Sequence, residues 1–267
     1  MKNIVKVGLI KNIVKVGLIL ALLVIFISSI LNIYEKRYKI YGTTIKKLNL
    51  ERPYEDKKYY IPKEDIYWAK EILNGGYILH FRHAERDKWI EVKMYDSLES
   101  DLHNNGIDES RYAENDYLKD AVCLNERGKV QARVMGEHIK NIGLKINHIV
   151  SSVSCRARQT ATLAFGEYDS LHRILVHPGP YNEKKEDRIK KLKKFYLSLP
   201  QNKNGNVIVS SHNSVIIPEI FENGKNLSDN LSLEEGGFYI ISIKNNKLYF
   251  EHEFHYFTNF VRIFYER

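Results

Sequence analysis

The chain has 267 residues, enough for one catalytic-size domain with an appendage. Its 41 Lys and Arg against 33 Asp and Glu give a formal charge of +8, spread along the chain; this favours anionic partners such as phosphorylated small molecules or an anionic membrane surface, while no helix-turn-helix, zinc-finger or aromatic RNA-binding signature supports nucleic acid. Two cysteines, Cys123 and Cys155, are too few for a disulfide scaffold and lack metal-ligand spacing; they read as separate thiols, with one bridge open if the domain lies outside the cytoplasm.

At the N-terminus "KNIVKVGLI" (2–10) recurs unchanged at 11–19, a tandem duplication too short for a solenoid unit. Val16 to Tyr34 then runs without a charge, 19 residues dense in Leu, Ile, Val and Phe, close to the roughly 20 that cross a bilayer as a helix. A cleaved signal peptide is the rival reading, but no small-x-small site follows the apolar run. We therefore expect a short basic segment at 1–15, a single transmembrane helix at 16–34, a Tyr-, Lys- and Glu-rich stalk at 35–63 and a catalytic domain at 64–267. Lysines and arginines flank both sides of the apolar run, so charge alone does not orient it.

The compact domain opens with "PKEDIYWAKEILNGG", where Ile66, Ala69, Ile72 and Leu73 fall at helical spacing and Gly75-Gly76 stops the helix. "YILHF" (77–81) is a short β-rich run, so Arg82, His83, Glu85, Arg86 and Asp87 fall just past a strand's C-terminal end, where open α/β sheets bind ligands. Residues 88–122 form an insertion far longer than a typical loop of about 4–6 residues, and its Trp89, Tyr95, Tyr112 and Tyr117 argue against plain disorder; we expect a lid that folds over the site, with a surface subdomain without ligand contact as the alternative. A second strand, "HIVSS" (148–152), leads into a helix starting near Ser154 that carries Arg156. A third, "NVIVSSHN" (206–213), ends on His212.

Three strands thus deliver Arg82 with His83, Arg156 and His212 to one end of a sheet. Two arginines offer forked donors matched to phosphate oxygens, a helix N-terminus adds N–H groups and a positive dipole end, and a histidine among them can act as a covalent nucleophile. Other chemistries fail on spacing. Strand alternation sends His80 and His83 to opposite faces, against a metal site with Glu85; six residues after Cys123 and Cys155 stand Lys129 and Ala161 where a cysteine phosphatase needs arginine; and there is no G-x-x-x-x-G-K-[ST] loop.

Over about residues 71–255 the sequence resembles the histidine phosphatase superfamily of phosphoglycerate mutase-like proteins. "FRHAERD" is similar to its R-H-G signature, with Ala84 in place of glycine; "LNERGKVQARVMGEHIK" to the helix carrying L-T-x-x-G-x-x-Q-A; "SSVSCRARQTATLAFG" to S-S-x-x-x-R-A-x-Q-T-A; and "VIVSSHNSVI" to the strand ending in the second histidine. "RHAER", the "HN" pair and the closing hairpin "GGFYIISIKNNKLYFEHEF" look most like a bacterial branch that includes lipopolysaccharide-core heptose phosphatases.

The resemblance implies a three-layer α/β domain, a mostly parallel sheet flanked by helices. It makes His83 the residue that becomes phosphohistidine, with Arg82, Arg156 and His212 completing the phosphate pocket and no metal or organic cofactor required. "PYNEKKED" is similar to the segment whose glutamate protonates the leaving group, making Glu183 the first candidate acid; Glu85, close to the nucleophile, is a second, and Asp87 is also near. The expected function is a membrane-anchored phosphomonoesterase acting on a phosphorylated sugar or envelope glycan, its domain extracytoplasmic; a phosphomutase and a catalytically silent phospho-ligand binder or scaffold are the alternatives.

Overall fold

The computed structural model describes residues 60–87, 122–176, 184–201, 203–228 and 231–265. The expected membrane helix at 16–34, nearly all of the stalk, the insertion except Val122, and Glu183 lie outside the described residues. Among those described, no helix is long and apolar enough to cross a membrane. The chain divides into two units, Met1–Tyr60 and Ile61–Arg267, and the second holds every element named below.

Helix α1 (Lys63–Glu71) and strand β1 (Ile78–Arg82) open the domain. Helix α2 (Glu126–Ile142) follows, then β2 (Ile146–Ser152), α3 (Cys155–Phe165), the short β3 (Ser170–His172), α4 (Lys185–Ser198), β4 (Asn206–Ser211), β5 (Phe238–Lys244), β6 (Lys247–Phe254) and α5 (Phe257–Tyr265). The strands expected from apolar runs appear within one or two residues of their expected bounds. The three residues of β3 and the helix α5 were not anticipated: β3 is too short to carry a period, and α5 lies beyond the last motif.

Six strands form one sheet in the order β3-β2-β4-β1-β5-β6. β1, β2, β3 and β4 run parallel, and β5 and β6 add an antiparallel edge. The β5–β6 hairpin turns on Asn245 and Asn246, both at positive φ (52° and 57°), a conformation asparagine tolerates better than most residues and one whose twist matches paired strands.

Alternation along the central strands divides the apolar side chains between two cores. Leu79, Phe81, Ile149, Ile208 and Ile240 join residues of α1, α2, α3 and α5 in one. Ile78, Val150, Val207, Val209, Tyr239 and Ile241 join α4 residues and the 3₁₀ turns after β4 in the other. Helices on both faces make the three-layer architecture that the sequence led us to expect.

The N-terminus of α2 is fixed by Asn125, whose side chain accepts from the Gly128 N–H at 2.7 Å, and its C-terminus by Gly143 at φ 80°. Gly128 has a second duty: a methyl there would stand 1.9 Å from the Glu85 carbonyl oxygen, so only glycine lets α2 approach the loop that follows β1.

The cysteines correct the reading of separate thiols. Cys123 and Cys155 form a disulfide, with Cα atoms 4.9 Å apart across a sequence separation of 32. Sequence spacing held no sign of it, because the approach of the two residues is created by the packing of α2 and α3. Closing a loop of this length stabilises the fold by about 3–4 kcal/mol in the chain-entropy account.

His80 points from β1 into the α4 layer. The His212 carbonyl can only accept, so His80 Nε2–H donates to it (3.3 Å), which leaves Nδ1 to accept from the Tyr196 hydroxyl (2.7 Å). Full burial pushes the His80 pKa down to about 4. A histidine whose folded pKa lies below its unfolded value near 6.5 contributes stability fully above that value and loses it as pH falls toward the folded pKa. His80 alone then accounts for roughly 3 kcal/mol between pH 7 and pH 4. We expect the urea midpoint to fall steadily over this window; a midpoint that holds from pH 7 to pH 4 would show that the buried ring is not kept neutral.

Candidate active site

The parallel pairing of β1 and β4 sets Arg82 beside Ser211. One residue further on, the His83 N–H donates to the Ser211 carbonyl (2.9 Å), so His83 and His212 emerge side by side at adjacent strand ends. Their rings stand 5.3 Å apart at 65°, and both are buried, at 4% and 3% exposure.

The His83 ring is held in one tautomer. Nδ1 lies 2.7 Å from the Ala84 carbonyl oxygen, an acceptor only, so Nδ1 carries the proton and Nε2 presents a lone pair. Burial, and then the positive charge of Arg156, pushes the imidazole pKa well below its usual value; Arg82 and Arg86 add to the effect, against the opposing bond to Ala84. The ring is therefore neutral at neutral pH.

Ala84 itself is fully buried, its N–H donating to the Thr160 hydroxyl (2.9 Å), which in turn donates to the Arg156 carbonyl (2.8 Å). The residue after His83 is thus tied to the helix that carries Arg156. The alanine methyl, a departure from the signature glycine, is accommodated in the core formed with Leu124 and Ala161.

Arg82 reaches away from the sheet to the Leu233 carbonyl through Nη1 and to Glu235 through Nη2, the latter at 3.6 Å. Burial works against its charge and pushes its pKa down, while Glu235 opposes the shift. Leu233 is itself clamped by Asn213, which donates to its carbonyl and accepts from its N–H, both at 2.8 Å. The asparagine of the "HN" pair is thus a brace for Arg82 through the loop before β5.

Arg156, 2% exposed, lies in the first turn of α3. Its Nη1 donates to the Val122 carbonyl (3.3 Å). Ser154 caps the helix by position only: its hydroxyl makes no cap bond and stands instead 3.2 Å from His212 Nε2, as does that of Ser152.

Glu85 is placed differently from the pocket groups. Its N–H donates to Gln131 (2.9 Å), and its carboxylate accepts from Asn125 (3.3 Å) and pairs with Arg127 at 2.5 Å. It ties the loop after β1 to the start of α2. Asp87 shares Asn125 at 3.1 Å.

The structure thus brings His83, Arg82, Arg156 and His212 to one end of the sheet, as the strand positions imply, and sets Glu85 to a bracing task. Sequence reading passed over Thr160, Gln131, Ser152, Ser154 and Glu235 as functional supports. Thr160 and Gln131 stood in the quoted motifs, so their pattern was visible and only their partners were hidden; Glu235 carried no signal at all.

Residues 117–179 match the family model of the histidine phosphatase superfamily, branch 1. No curated protein matches the chain in sequence. Among solved structures, the protein histidine phosphatase SixA complexed with tungstate is similar at 13% identity over 66% of this chain and 95% of its own, with a TM-score of 0.44. A phosphoserine phosphatase from Entamoeba histolytica, in complex with 3-phosphoglyceric acid, is similar at 14% identity over 66% and 95%, with a TM-score of 0.42. A SixA protein from Agrobacterium tumefaciens gives 16%, 67% and 97%, with a TM-score of 0.39. The matched segment covers α2, β2 and α3, hence Gln131, Thr160 and Arg156 in one frame, and over that segment the chain is similar to the histidine phosphatase superfamily.

Proposed function

We propose that the protein is a phosphomonoesterase that works through a phosphohistidine on His83. The observation that carries this reading is the bond from His83 Nδ1–H to the Ala84 carbonyl (2.7 Å), which aims an uncharged lone pair on Nε2 from a ring flanked by Arg82, Arg156 and His212. In the first step Nε2 attacks phosphorus in line, the P–O bond to the leaving group breaks, and an acid donates a proton to the departing alkoxide. In the second, water attacks the phosphohistidine, the N–P bond breaks, and the same carboxylate takes the water's proton. Arg82, Arg156, His212 and the N–H groups of α3 stabilise charge on the equatorial oxygens.

Glu183 is our proposed acid. Support comes from the motif in which it stands and from Glu85, whose carboxylate is engaged by Asn125 and Arg127. We extend the reading to a chain anchored by 16–34, with its domain extracytoplasmic and its substrate a phosphorylated sugar or envelope glycan, as in the branch that includes heptose phosphatases. The apolar run supports the anchor. The Cys123–Cys155 disulfide supports an oxidising compartment.

Purified protein should release phosphate from an aryl phosphate without added metal, and from phosphosugars faster than from phosphopeptides. His83→Ala should lower kcat roughly a thousandfold or more and abolish acid-labile labelling of the chain by a phosphate donor. A folded His83→Ala protein with near wild-type turnover would end the phosphohistidine reading, and a preference for phosphopeptides would end the sugar assignment. Because the His83 pKa lies well below 6.5, protonation of the nucleophile should not reduce kcat/KM between pH 7 and 6.5; a fall centred on 6.5 that disappears on changing no other titrating group would count against a neutral His83.

The acid can be identified by leaving group. Glu183→Gln should lower kcat/KM for alkyl phosphates, whose alkoxides need a proton, by about 100-fold and leave kcat/KM for aryl phosphates with acidic phenols little changed, while kcat falls for both because the second step loses its base. Glu85→Gln should lower thermal stability and treat both substrates alike. Reversal of the two patterns would reassign the proton donor to Glu85.

Sidedness follows from accessibility. Protease added to intact spheroplasts should digest residues 61–267, and complete protection would place the domain on the cytoplasmic side.

A further inference from the structure

The disulfide stands where two pieces of chain meet at the phosphate pocket. Cys155 is the first residue of α3 and the neighbour of Arg156. Cys123 lies in the three-residue stretch Val122–Leu124, which leads into α2. All three residues of that stretch are attached to α3: Val122 through its carbonyl to Arg156 Nη1 (3.3 Å), Cys123 through the disulfide to Cys155, and Leu124 through its N–H to Gln159 Oε1 (2.8 Å). Val122, Cys123 and Leu124 are buried, as are Cys155 and Arg156.

We propose that the Cys123–Cys155 disulfide is a positioning group for Arg156, holding Val122–Leu124 as a strap across the first turn of α3 so that the guanidinium is fixed at the phosphate pocket. The chemistry fits the location. An arginine has a long side chain with much rotamer freedom to lose, and a pocket that must match a tetrahedral oxyanion needs its fork held within a fraction of an ångström. A backbone carbonyl can hold one Nη only if that carbonyl cannot drift. The covalent bond from Cys123, one residue after Val122, to Cys155 supplies such a fixed point. The Leu124 bond to Gln159 adds a second, one turn further along α3.

The role is one of positioning, since neither sulfur reaches the reacting atoms in this reading. It rests on the phosphatase assignment for its kinetic consequence only, because oxyanion binding requires no turnover.

The test measures tungstate, a tetrahedral oxyanion, by calorimetry on the full chain in detergent. Cys123→Ala/Cys155→Ala should weaken tungstate binding by about tenfold or more, the loss of one charge-assisted contact. With Arg156→Lys already present, the same pair of cysteine substitutions should weaken it by less than about twofold, because the strap then has no guanidinium to place. With the aryl phosphate, KM should rise in the cysteine variant together with a fall in kcat. Gln159→Leu, which keeps the disulfide and removes the Leu124 acceptor, should weaken tungstate binding in the same direction, and Gln159→Glu, which retains an acceptor, should restore it.

A folded cysteine variant with wild-type tungstate affinity overturns the proposal, and so does an equal loss in the Arg156→Lys background, which would make the bridge a general stabiliser. If the cysteine variant does not fold, the Gln159 pair decides: unchanged affinity in Gln159→Leu overturns it. Wild-type protein that binds tungstate without hydrolysing any phosphate monoester would sink the phosphatase reading and leave this inference standing.

Discussion

Parallel pairing of β1 with β4 is the constraint on which the site depends. The two strands are far apart in sequence, yet their register places Arg82 opposite Ser211, so the next residue on each strand is a histidine. The His83 N–H to Ser211 bond continues the ladder one step past the last paired residues. Side-chain alternation cannot slip by one residue without exchanging the two cores: Leu79, Phe81 and Ile208 belong to one and Ile78, Val207 and Val209 to the other. The same apolar pattern that locks the sheet therefore locks the distance between the two histidines.

Around that pair, the protein concentrates positive charge while keeping the His83 ring uncharged. Burial and the nearby arginines both act against an imidazolium at His83, and a buried charge without compensation is costly. The arginines themselves are held through acceptors: Arg82 by the Leu233 carbonyl and Glu235, Arg156 by the Val122 carbonyl. Much of the surrounding bonding is the work of small hydroxyl and amide groups. Thr160 joins Ala84 to Arg156, Gln131 joins Glu85 to the Glu235 carbonyl, Asn213 fixes Leu233, and Ser210 ties β4 to α3 through the Ala157 carbonyl. Thr160, Asn213 and Ser210 have short side chains with little conformational entropy to lose, which suits a precise frame behind a charged pocket.

His80 shows the same economy on the other face of β1. A single ring joins Tyr196 of α4 to the backbone of His212, linking the far helix layer to the pocket without a formal charge. Its neighbour three positions on, His83, lies just past the strand and faces His212 instead. Period-two alternation sends His80 and His83 to opposite faces of β1, and the contacts of His80 with Tyr196 and the His212 carbonyl place its ring on the α4 side.

Sequence by itself determined β1, β2 and β4, the helices α1 and α3, and the four polar residues just past the strands, because each rests on local periodicity or on a residue's place just past an apolar run. The resemblance of the four motifs added roles to those places. Tertiary structure alone decided the disulfide, the bracing task of Glu85 and the pairing of Arg82 with Glu235. Cys123 and Cys155 are brought to 4.9 Å by helix packing, Glu85 meets Arg127 because Gly128 lets α2 come close, and Glu235 meets Arg82 where the loop before β5 crosses the strand ends. None of these contacts leaves a period or a spacing in the chain, since each depends on two segments meeting in space whose separation in sequence says nothing of their distance.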